Sequence, residues 1–387
     1  MIPVEDATAR LLALARPLPA ETVPLTQAAG RWMAEPALAR RDQPPFDTSA
    51  MDGYAVQGDP APGDSFTVIG EAGAGHAFAG TLGPGQAVRI FTGAPVPAGA
   101  TRVVIQEDVR RDGGCITVTD TDSGTNIRLR GQDFPAGAAL PPRRLRPADL
   151  ALLAAMNLPR VAVARRPVVA LIATGDELVM PGEDPGPDQI IASNAFALQA
   201  MARAEGAEAR LMPIAPDRPE ALREALARAA DADVIVTIGG ASVGDHDLVG
   251  RVTQDMGLAP AFWKIAMRPG KPLMAGRLGD AILLGLPGNP VSAIVTGHLF
   301  LLPLLRALQG DPAPLPQPQI ATLATDLPAN GPRTHYMRAR LTGSAITPFD
   351  KQDSALLTIL TEANALLIRP ISAPPAKAGE AVSYLPL

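Results

Sequence analysis

The feature that most constrains the fold is a run between residues 165 and 310 in which apolar, strand-like segments alternate with helical ones. The predicted strands are Val168–Ala173, 210–214, Val234–Ile238 and 282–286. The predicted helices are 195–205, 219–230, 247–256 and 290–308. Such an alternation predicts a mostly parallel sheet covered by helices on both faces. Ligands of these folds bind at the carboxyl ends of the strands.

The segments outside this run have a different character. Residues 4–15 and 147–157 have helical patterns and are interpreted as a pair that flanks an insertion, while 46–140 is rich in Gly and Pro with short β-branched runs. A Pro-rich linker at 311–318 precedes short strands up to residue 387. We therefore predict an N-terminal helical domain (1–45 plus 141–164), an inserted β-rich domain (46–140), the α/β domain (165–310) and a small C-terminal β domain (316–387).

Composition narrows the possible partners. With 34 basic and 39 acidic residues the formal charge is −5, which disfavours nucleic-acid binding and requires any anion site to gather its cations locally. The single cysteine, Cys115, excludes an intrachain disulfide and fits a reducing compartment. The most apolar stretch, 291–305, contains His298 and Pro303 and is interpreted as a buried helix. We expect a cytoplasmic protein that binds no membrane.

Three predicted strands run directly into loops of Gly and polar residues, at 174–178, 239–247 and 287–292. Backbone N–H groups at the following helix starts attract anions. Each loop alone is compatible with an ordinary tight turn, but the three together predict a ligand site. None of them matches the phosphate-binding P-loop or the dinucleotide Gly-x-Gly-x-x-Gly pattern, which disfavours both of those classes.

Carboxylates stand beside these strand ends at Glu177, Asp217 and Asp247. Hard oxygen ligands of this type bind Mg²⁺, usually together with substrate phosphates. Asp217 precedes Arg218 and Pro219 and therefore looks more like a helix N-cap. Glu177 and Asp247 are assigned to a metal or a substrate.

Lys264, Arg268 and Lys271 lie within ten residues that also contain Pro269 and Pro272. Three cations on a short, stiff loop predict a cradle for an oxyanion. The alternative is a solvated basic loop.

Seven segments, read in order, resemble the MoeA family, which includes enzyme domains related to gephyrin. Each is modest alone, but their order is specific and spans nearly the whole chain. They are 49–55 (SAMDGYA), 92–97 (TGAPVP), 126–133 (NIRLRGQD), 174–178 (TGDEL), 239–244 (GGASVG), 268–272 (RPGKP) and 286–292 (LPGNPVS).

The resemblance implies an elongated homodimer of four-domain subunits, with a central three-layer α/β domain like that of the adenylyltransferase MogA and a small C-terminal β-barrel. It implies a Mg²⁺-dependent reaction in which adenylated molybdopterin and molybdate give AMP and molybdenum cofactor. The active cleft would lie between the central domain of one subunit and the insertion of the other. Transient contacts with a MogA-type adenylyltransferase and with cofactor-accepting proteins follow from the same resemblance.

The resemblance also assigns residues to roles. Molybdate would lie near Arg268, Lys271, Ser292, Arg338 and Ser354. The catalytic residues would be Asp52, Thr92, Arg128, Asp133, Glu177, Asp217, Asp247 and Lys264, with Glu177 and Asp247 as the metal ligands. The substrate-binding residues would be Ser49, Asn194, Gly239, Gly240, Ser242, Gly244, Pro287, Asn289 and Pro290.

The sequence departs from the family at two positions near the expected molybdate. Arg268 stands where Lys is usual, which keeps the charge and changes the donor geometry. Asp353 stands where a small residue usually precedes the serine, and its charge would repel molybdate unless it points away.

Two other functions compete with this interpretation. A MogA-like molybdopterin adenylyltransferase would use the central domain alone, and would need neither the insertion nor the C-terminal domain. A non-catalytic cofactor carrier or scaffold would not need the carboxylates and cations described above.

Overall fold

The structure is a computed structural model that describes residues 1–240 and 248–387. These residues form two units: a main unit of Met1–Glu21 with Ala164–Leu387, and an insertion unit of Thr22–Val163. The α-helices are α1 (Val4–Leu12), α2 (Pro147–Ala155), α3 (Asn194–Ala204), α4 (Pro219–Arg228), α5 (Leu248–Asp255), α6 (Pro290–Thr296), α7 (Leu302–Leu308) and α8 (Leu357–Glu362).

The strands follow in chain order. The first twelve are β1 (Ala20–Pro24), β2 (Ala37–Leu38), β3 (Thr48–Ser49), β4 (Gly53–Val56), β5 (Ser65–Ala72), β6 (Gln86–Ile90), β7 (Arg102–Ile105), β8 (Val109–Asp112), β9 (Cys115–Val118), β10 (Ile127–Arg128), β11 (Ala139–Leu140) and β12 (Arg160–Ala164). The others are β13 (Val168–Ala173), β14 (Leu178–Val179), β15 (Ile190–Ile191), β16 (Glu208–Leu211), β17 (Val234–Ile238), β18 (Ala259–Trp263), β19 (Met267–Arg268), β20 (Met274–Leu278), β21 (Ala281–Leu286), β22 (Gln319–Leu323), β23 (Thr334–Thr342), β24 (Ala345–Pro348), β25 (Ala365–Arg369) and β26 (Ala381–Pro386).

The main unit is built on a six-stranded sheet in the order β16-β13-β17-β21-β20-β18. The first four strands are parallel, which confirms the prediction from the apolar runs. β20 and β18 extend the sheet antiparallel. The sequence did not predict this edge, because the segments of β18 and β20 contain Pro260 and Gly276 and lack a continuous apolar run.

Two apolar cores lie on opposite faces of this sheet and make a three-layer arrangement. Residues of α1, α3, α6 and α7 pack on one face, and residues of α4 and α5 pack on the other. Side chains alternate between the faces along each strand, as Leu171 and Ile172 of β13 show.

The first helix differs from its prediction. Val4, Ala7 and Leu11 of α1 are buried in the core of the main unit, and α2 packs in the insertion unit against Leu25–Gln27. The predicted pairing of these two helices is therefore wrong. A helical pattern shows that a helix has an apolar face, but not which partner covers it.

One continuous helical segment, Pro290–Leu308, is made of α6, a π-helical turn at Gly297–Leu301 and α7. By length and composition alone it would be able to cross a membrane, but 78% of it is buried inside the protein. This confirms the prediction of a buried helix.

The C-terminal strands close into a five-stranded barrel, in which β23-β24-β22-β26-β25 returns to β23. β19 pairs in parallel with the first two residues of β23, with Arg268 opposite His335. This pairing attaches the basic loop of the α/β domain to the barrel.

The insertion unit holds a six-stranded sheet in the order β7-β4-β6-β5-β9-β8. Separate apolar clusters cover its two faces. A third cluster contains Met33, Leu145 and Leu153 and gathers α2 with the short strands around it. Cys115 is exposed on β9 with a free thiol.

Candidate active site

A cavity of about 580 Å³ lies at the carboxyl ends of β13, β17 and β21, and we call it the strand-end cavity. It brings together residues from all three predicted loops, as the parallel topology requires. The predicted site residues that line it are Glu177, Asn194, Asp217, Gly239, Gly240, Pro287, Asn289 and Pro290. Ser242, Gly244 and Asp247 lie outside the described residues.

The turn after β17 requires its two glycines. Both have positive φ, +92° at Gly239 and +65° at Gly240. A Cβ at Gly239 would lie 2.9 Å from the Thr174 carbonyl oxygen, and one at Gly240 would lie 2.8 Å from Thr174 Oγ1. Glycine therefore lets this backbone pass close to the neighbouring strand end. Across the cavity, Asn194 opens α3 and donates from Nδ2 to the Gly288 carbonyl oxygen at 2.6 Å.

Glu177 and Asp217 both line the strand-end cavity. Burial raises the pKa of Asp217, and the nearby charges of Glu177 and Asp176 raise it further. The N-cap prediction for Asp217 is wrong. Helix α4 begins at Pro219 as predicted, so its N-cap is Arg218, and no side chain caps it. The clustered negative charge favours a bound cation.

The carboxylates fit one type of metal site. Within the described ranges, no group of three His, Cys, Asp or Glu side chains is placed to hold a metal. Mg²⁺ needs no such group, since it is commonly held by one or two carboxylates together with substrate phosphates and water. Glu177 and Asp217 supply donors of this kind.

A second cavity, of about 340 Å³, adjoins the first and shares Pro272 and Asn289 with it. We call it the oxyanion cavity. Arg268, Lys271, Ser292 and Ser354 line it, so the structure brings together four of the five predicted molybdate residues.

Elements of two domains position these side chains. The pairing of β19 with β23 holds the 268–272 loop on the barrel, and a Cβ at Gly270 would lie only 2.5 Å from Thr296 Cγ2 of α6. Asn289 donates from Nδ2 to Ser354 Oγ at 3.0 Å, and Val291 N–H donates to the Ser354 carbonyl oxygen at 3.0 Å. The barrel loop and the start of α6 are thereby fixed to each other.

Arg338, the fifth predicted residue, lies outside the lining of this cavity and is fully buried. Its Nη2 donates to the carbonyl oxygens of Asp353 at 2.9 Å and Lys351 at 3.3 Å. Its Nε and Nη1 are buried without a hydrogen-bond partner, and burial together with the charge of Arg268 lowers its pKa. In this structure Arg338 supports the loop that carries Ser354.

Sequence reasoning missed Arg333, which is half-buried and lines the oxyanion cavity. Asn330 fixes its loop by donating from Nδ2 to the carbonyl oxygens of Arg333 at 2.9 Å and Arg369 at 3.0 Å. Across the part of the chain that is described, no carboxylate pairs with Arg333, Arg268 or Lys271 (ion pairs within 4.0 Å). The cavity therefore brings together three cations without a direct ion-pair partner among the described residues, and the carboxylate of Asp353 lines the same cavity.

Two sequence expectations change here. Lys264 lies outside the lining of both cavities, and its backbone N–H donates to the Leu273 carbonyl oxygen. The predicted oxyanion cradle therefore lacks Lys264 and consists of Arg268, Lys271 and Arg333. Asp353 does line the oxyanion cavity. Its Oδ1 accepts the Ala355 N–H at 2.9 Å.

The insertion unit gathers its own predicted residues. Asp52 Oδ1 accepts from Thr92 N–H and from Thr92 Oγ1, both at 2.7 Å, and these bonds lower the pKa of Asp52. β10 pairs with β3 and places the loop of Arg128 and Asp133 beside the loop of Asp52. Ser49 is completely buried and its hydroxyl donates to the Met51 carbonyl oxygen at 2.5 Å, so its predicted contact with substrate is not supported.

His335 gives the barrel side of the site a pH-dependent stability. Burial and the charges of Arg268, Arg338 and Arg333 lower its pKa from 6.5 to about 4. In this pH range the His335 imidazole is protonated in the unfolded chain but neutral in the folded one. The free energy of unfolding therefore falls as the pH drops from 6.5 to about 4. Between pH 6.5 and about 4, the free energy of unfolding of the wild type should therefore fall by about 3 kcal/mol more than that of His335→Gln, which has no imidazole to protonate. Chemical denaturation at several pH values measures this, and parallel pH profiles would contradict it.

The fold defines a multi-domain α/β protein with two adjoining cavities. One lies at the strand ends and is lined by carboxylates and glycines, and the other is an anion site that residues of the C-terminal barrel complete. Residues 2–157 match the MoeA N-terminal region (domains I and II), 170–307 a probable molybdopterin-binding domain, and 321–387 the MoeA C-terminal region (domain IV). The chain belongs to the MoeA family.

Individual relatives agree with this assignment. A molybdopterin molybdenumtransferase of Nostoc sp. is 41% identical over 75% of this chain and 70% of its own. The molybdopterin molybdenumtransferase of Bacillus subtilis is 34% identical over 95% of this chain and 90% of its own. A crystal structure of the molybdopterin biosynthesis moeA protein from Pyrococcus horikoshii superposes with a TM-score of 0.86 at 27% identity and covers 100% of both chains.

Proposed function

We propose that this chain is a molybdopterin molybdenumtransferase, which uses molybdate and adenylated molybdopterin to form molybdenum cofactor and release AMP. The observation that carries the proposal is the direct junction of the two cavities through Pro272 and Asn289. One cavity suits a small oxyanion, and the other suits a phosphorylated ligand.

The oxyanion cavity binds molybdate through charge-assisted hydrogen bonds. Arg268, Lys271 and Arg333 supply charged donors, and the hydroxyls of Ser292 and Ser354 supply neutral ones. The buried, unpaired N–H groups of Arg338 add positive potential from behind the loop. The dithiolene sulfurs of the pterin substrate reach molybdenum from the strand-end cavity.

The strand-end cavity binds the phosphates. The glycine turn after β17 lets them approach the backbone closely, and the start of α3 presents backbone N–H groups to them. Glu177 and Asp217 would hold Mg²⁺ on this side. When bound, Mg²⁺ neutralises phosphate oxygens and stabilises the charge of the departing AMP.

The active enzyme is a cytoplasmic homodimer in which Asp52, Thr92, Arg128 and Asp133 of one subunit complete the cleft of the other. The proposal rests on the family and on the neighbouring loops that carry these residues in the insertion unit, where Thr92, Arg128 and Asp133 are exposed and Asp52 is half-buried. Transient partners are a MogA-type adenylyltransferase and the proteins that accept the cofactor.

Glu177→Gln should keep the fold and impair metal-dependent turnover. It removes a charge and keeps the shape, so we expect the half-saturating Mg²⁺ concentration to rise about tenfold or more, while stability changes by no more than about 0.5 kcal/mol. Asp184→Asn removes a charge from an exposed position nearby and serves as the control. Normal turnover of Glu177→Gln at limiting Mg²⁺ would rule out its metal role. Asp247→Asn is expected to behave like Glu177→Gln.

The competing function, pterin adenylyltransferase, gives no role to the barrel residues of the oxyanion cavity. Expression in a bacterial strain that lacks its own molybdopterin molybdenumtransferase separates the two. We expect restored nitrate reductase activity at low molybdate. Failure to restore it, with the protein expressed and folded, would contradict the proposed function.

A further inference from the structure

We propose that Asp353 is a further catalytic residue, which carries protons from the dithiolene thiols of the substrate to the oxygen that molybdate loses. This inference rests on the proposed function and adds to it a residue for the proton transfer of the insertion step. Asp353 is the one acidic side chain among the described residues that line the oxyanion cavity.

Asp353 places a negative charge where the other charged side chains favour an anion. Arg268, Lys271 and Arg333 line the same cavity, yet Asp353 forms an ion pair with none of them in the described part of the chain. Its Oδ1 accepts the Ala355 N–H at 2.9 Å, and its Oδ2 accepts no hydrogen bond from the described residues. Because a like charge weakens the binding of an oxyanion, this free carboxylate oxygen does not serve binding.

The loop that carries Asp353 is fixed on both sides. On the barrel side, Gln352 Oε1 accepts the Arg338 N–H at 3.0 Å, and Gln352 Nε2 donates to the Arg338 carbonyl oxygen at 2.9 Å. The carbonyl oxygen of Asp353 itself accepts from Arg338 Nη2 at 2.9 Å. On the other side, Asn289 at the N-cap of α6 donates to Ser354 Oγ at 3.0 Å. The backbone of Asp353 is therefore held beside the proposed molybdate site.

Insertion of molybdenum requires two protons to move. MoO₄²⁻ and the dithiol give a trioxo dithiolene dianion and one water, so two S–H bonds and one molybdenum–oxygen bond break while two molybdenum–sulfur and two O–H bonds form. Sulfur lone pairs make the new bonds to molybdenum, the electrons of the broken bond leave with the oxygen, and molybdenum keeps its oxidation state. A thiol binds a metal as the thiolate, so both sulfurs release protons and the departing oxygen takes them up.

The carboxylate of Asp353 suits this transfer better than its neighbours do. The three cations of the oxyanion cavity are donors without acceptor capacity, and Glu177 and Asp217 line the strand-end cavity instead. A carboxylate takes a proton from a thiol and gives it to the departing oxygen. After two such transfers Asp353 is again ionised, and both thiol protons are in the water that leaves.

The variant Asp353→Asn separates proton transfer from binding. It keeps the size of the side chain and an oxygen for the Ala355 N–H, but it has no carboxylate to take up a proton. We expect kcat for molybdenum cofactor formation at saturating molybdate to fall about hundredfold. The dissociation constant of molybdate, measured by titration calorimetry, should fall about fivefold, because a like charge is gone. Asp350→Asn removes an exposed charge outside the cavity lining and should leave both values as in the wild type.

Chemical rescue tests whether the carboxylate itself is needed. Asp353→Gly removes the side chain and leaves room for a small carboxylic acid. We expect formate to restore part of the lost turnover in proportion to its concentration, and chloride at the same ionic strength to restore none. A free carboxylate would not replace a residue that merely supports the loop.

Three results would overturn the inference. Asp353→Asn would keep the wild-type kcat, its lost turnover would return at higher molybdate concentrations, or formate would restore Asp353→Gly no better than chloride does. Each of these is compatible with molybdate-dependent AMP release by the wild type, whose absence would contradict the proposed function instead.

Discussion

Lys271→Ala should raise the half-saturating molybdate concentration ten- to hundredfold while leaving the affinity for adenylated molybdopterin nearly unchanged. Lys271 lines the oxyanion cavity and has no carboxylate partner within the described part of the chain. Its loop is held by the β19–β23 pairing and by the close packing of Gly270 on Thr296, so the lysine side chain starts from a fixed backbone. Loss of one charged hydrogen bond costs about 1.5–3 kcal/mol, which is roughly ten- to hundredfold in affinity.

Titration of AMP release against molybdate measures this shift. Lys377→Ala is the matched control, because it removes an exposed lysine of the C-terminal domain that pairs with Asp326, and such surface pairs contribute about 0–1 kcal/mol. If Lys271 merely supports its loop, melting temperature and substrate affinity fall together. An unchanged half-saturating molybdate concentration would exclude a direct contact.

Mixing the variants Asp52→Asn and Glu177→Gln, assayed at a limiting Mg²⁺ concentration where each alone is inactive, should restore about a quarter of wild-type activity. In a twofold dimer with shared clefts, random exchange makes about half of the dimers hybrids, and each hybrid has one cleft with both native residues. Asp52 is held in the insertion unit by Thr92, and Glu177 lines the strand-end cavity of the main unit. The recovered activity would come from clefts that combine the main unit of the Asp52→Asn subunit with the insertion unit of the Glu177→Gln subunit.

Subunit exchange is verified with differently tagged chains before activity is read. A mixture of Asp52→Asn with the double variant Asp52→Asn, Glu177→Gln is the control, since no hybrid there has an intact Asp52. Proven exchange without recovery would place both residues of a cleft in one subunit.

The parallel part of the sheet was predictable because β13, β17 and β21 are buried on both faces and appear as continuous apolar runs, such as Val168–Ala173. The antiparallel edge was not, because β18 and β20 depend on pairing rather than on an apolar pattern. The core against which α1 packs could not be predicted either, because the apolar face of a helix does not specify which apolar surface covers it.

The site divides in the same way. The residues of the strand-end cavity were predictable, because parallel topology places successive loops on one edge. Arg333 was missed because it reaches the oxyanion cavity only through the closure of the barrel and the pairing of β19 with β23. Asp217 was misread as a cap because its local sequence carries a cap signal, whereas its surroundings, Glu177 and Asp176, come from another loop.

The most direct test of the central claim uses purified protein, adenylated molybdopterin, Mg²⁺ and a series of molybdate concentrations, with AMP and molybdenum cofactor measured together. We expect AMP release to require molybdate, to saturate with it, and to match the cofactor formed one for one. AMP release that is independent of molybdate, or a protein that consumes ATP and releases pyrophosphate to adenylate the pterin, would contradict the assignment of this chain as a molybdenumtransferase.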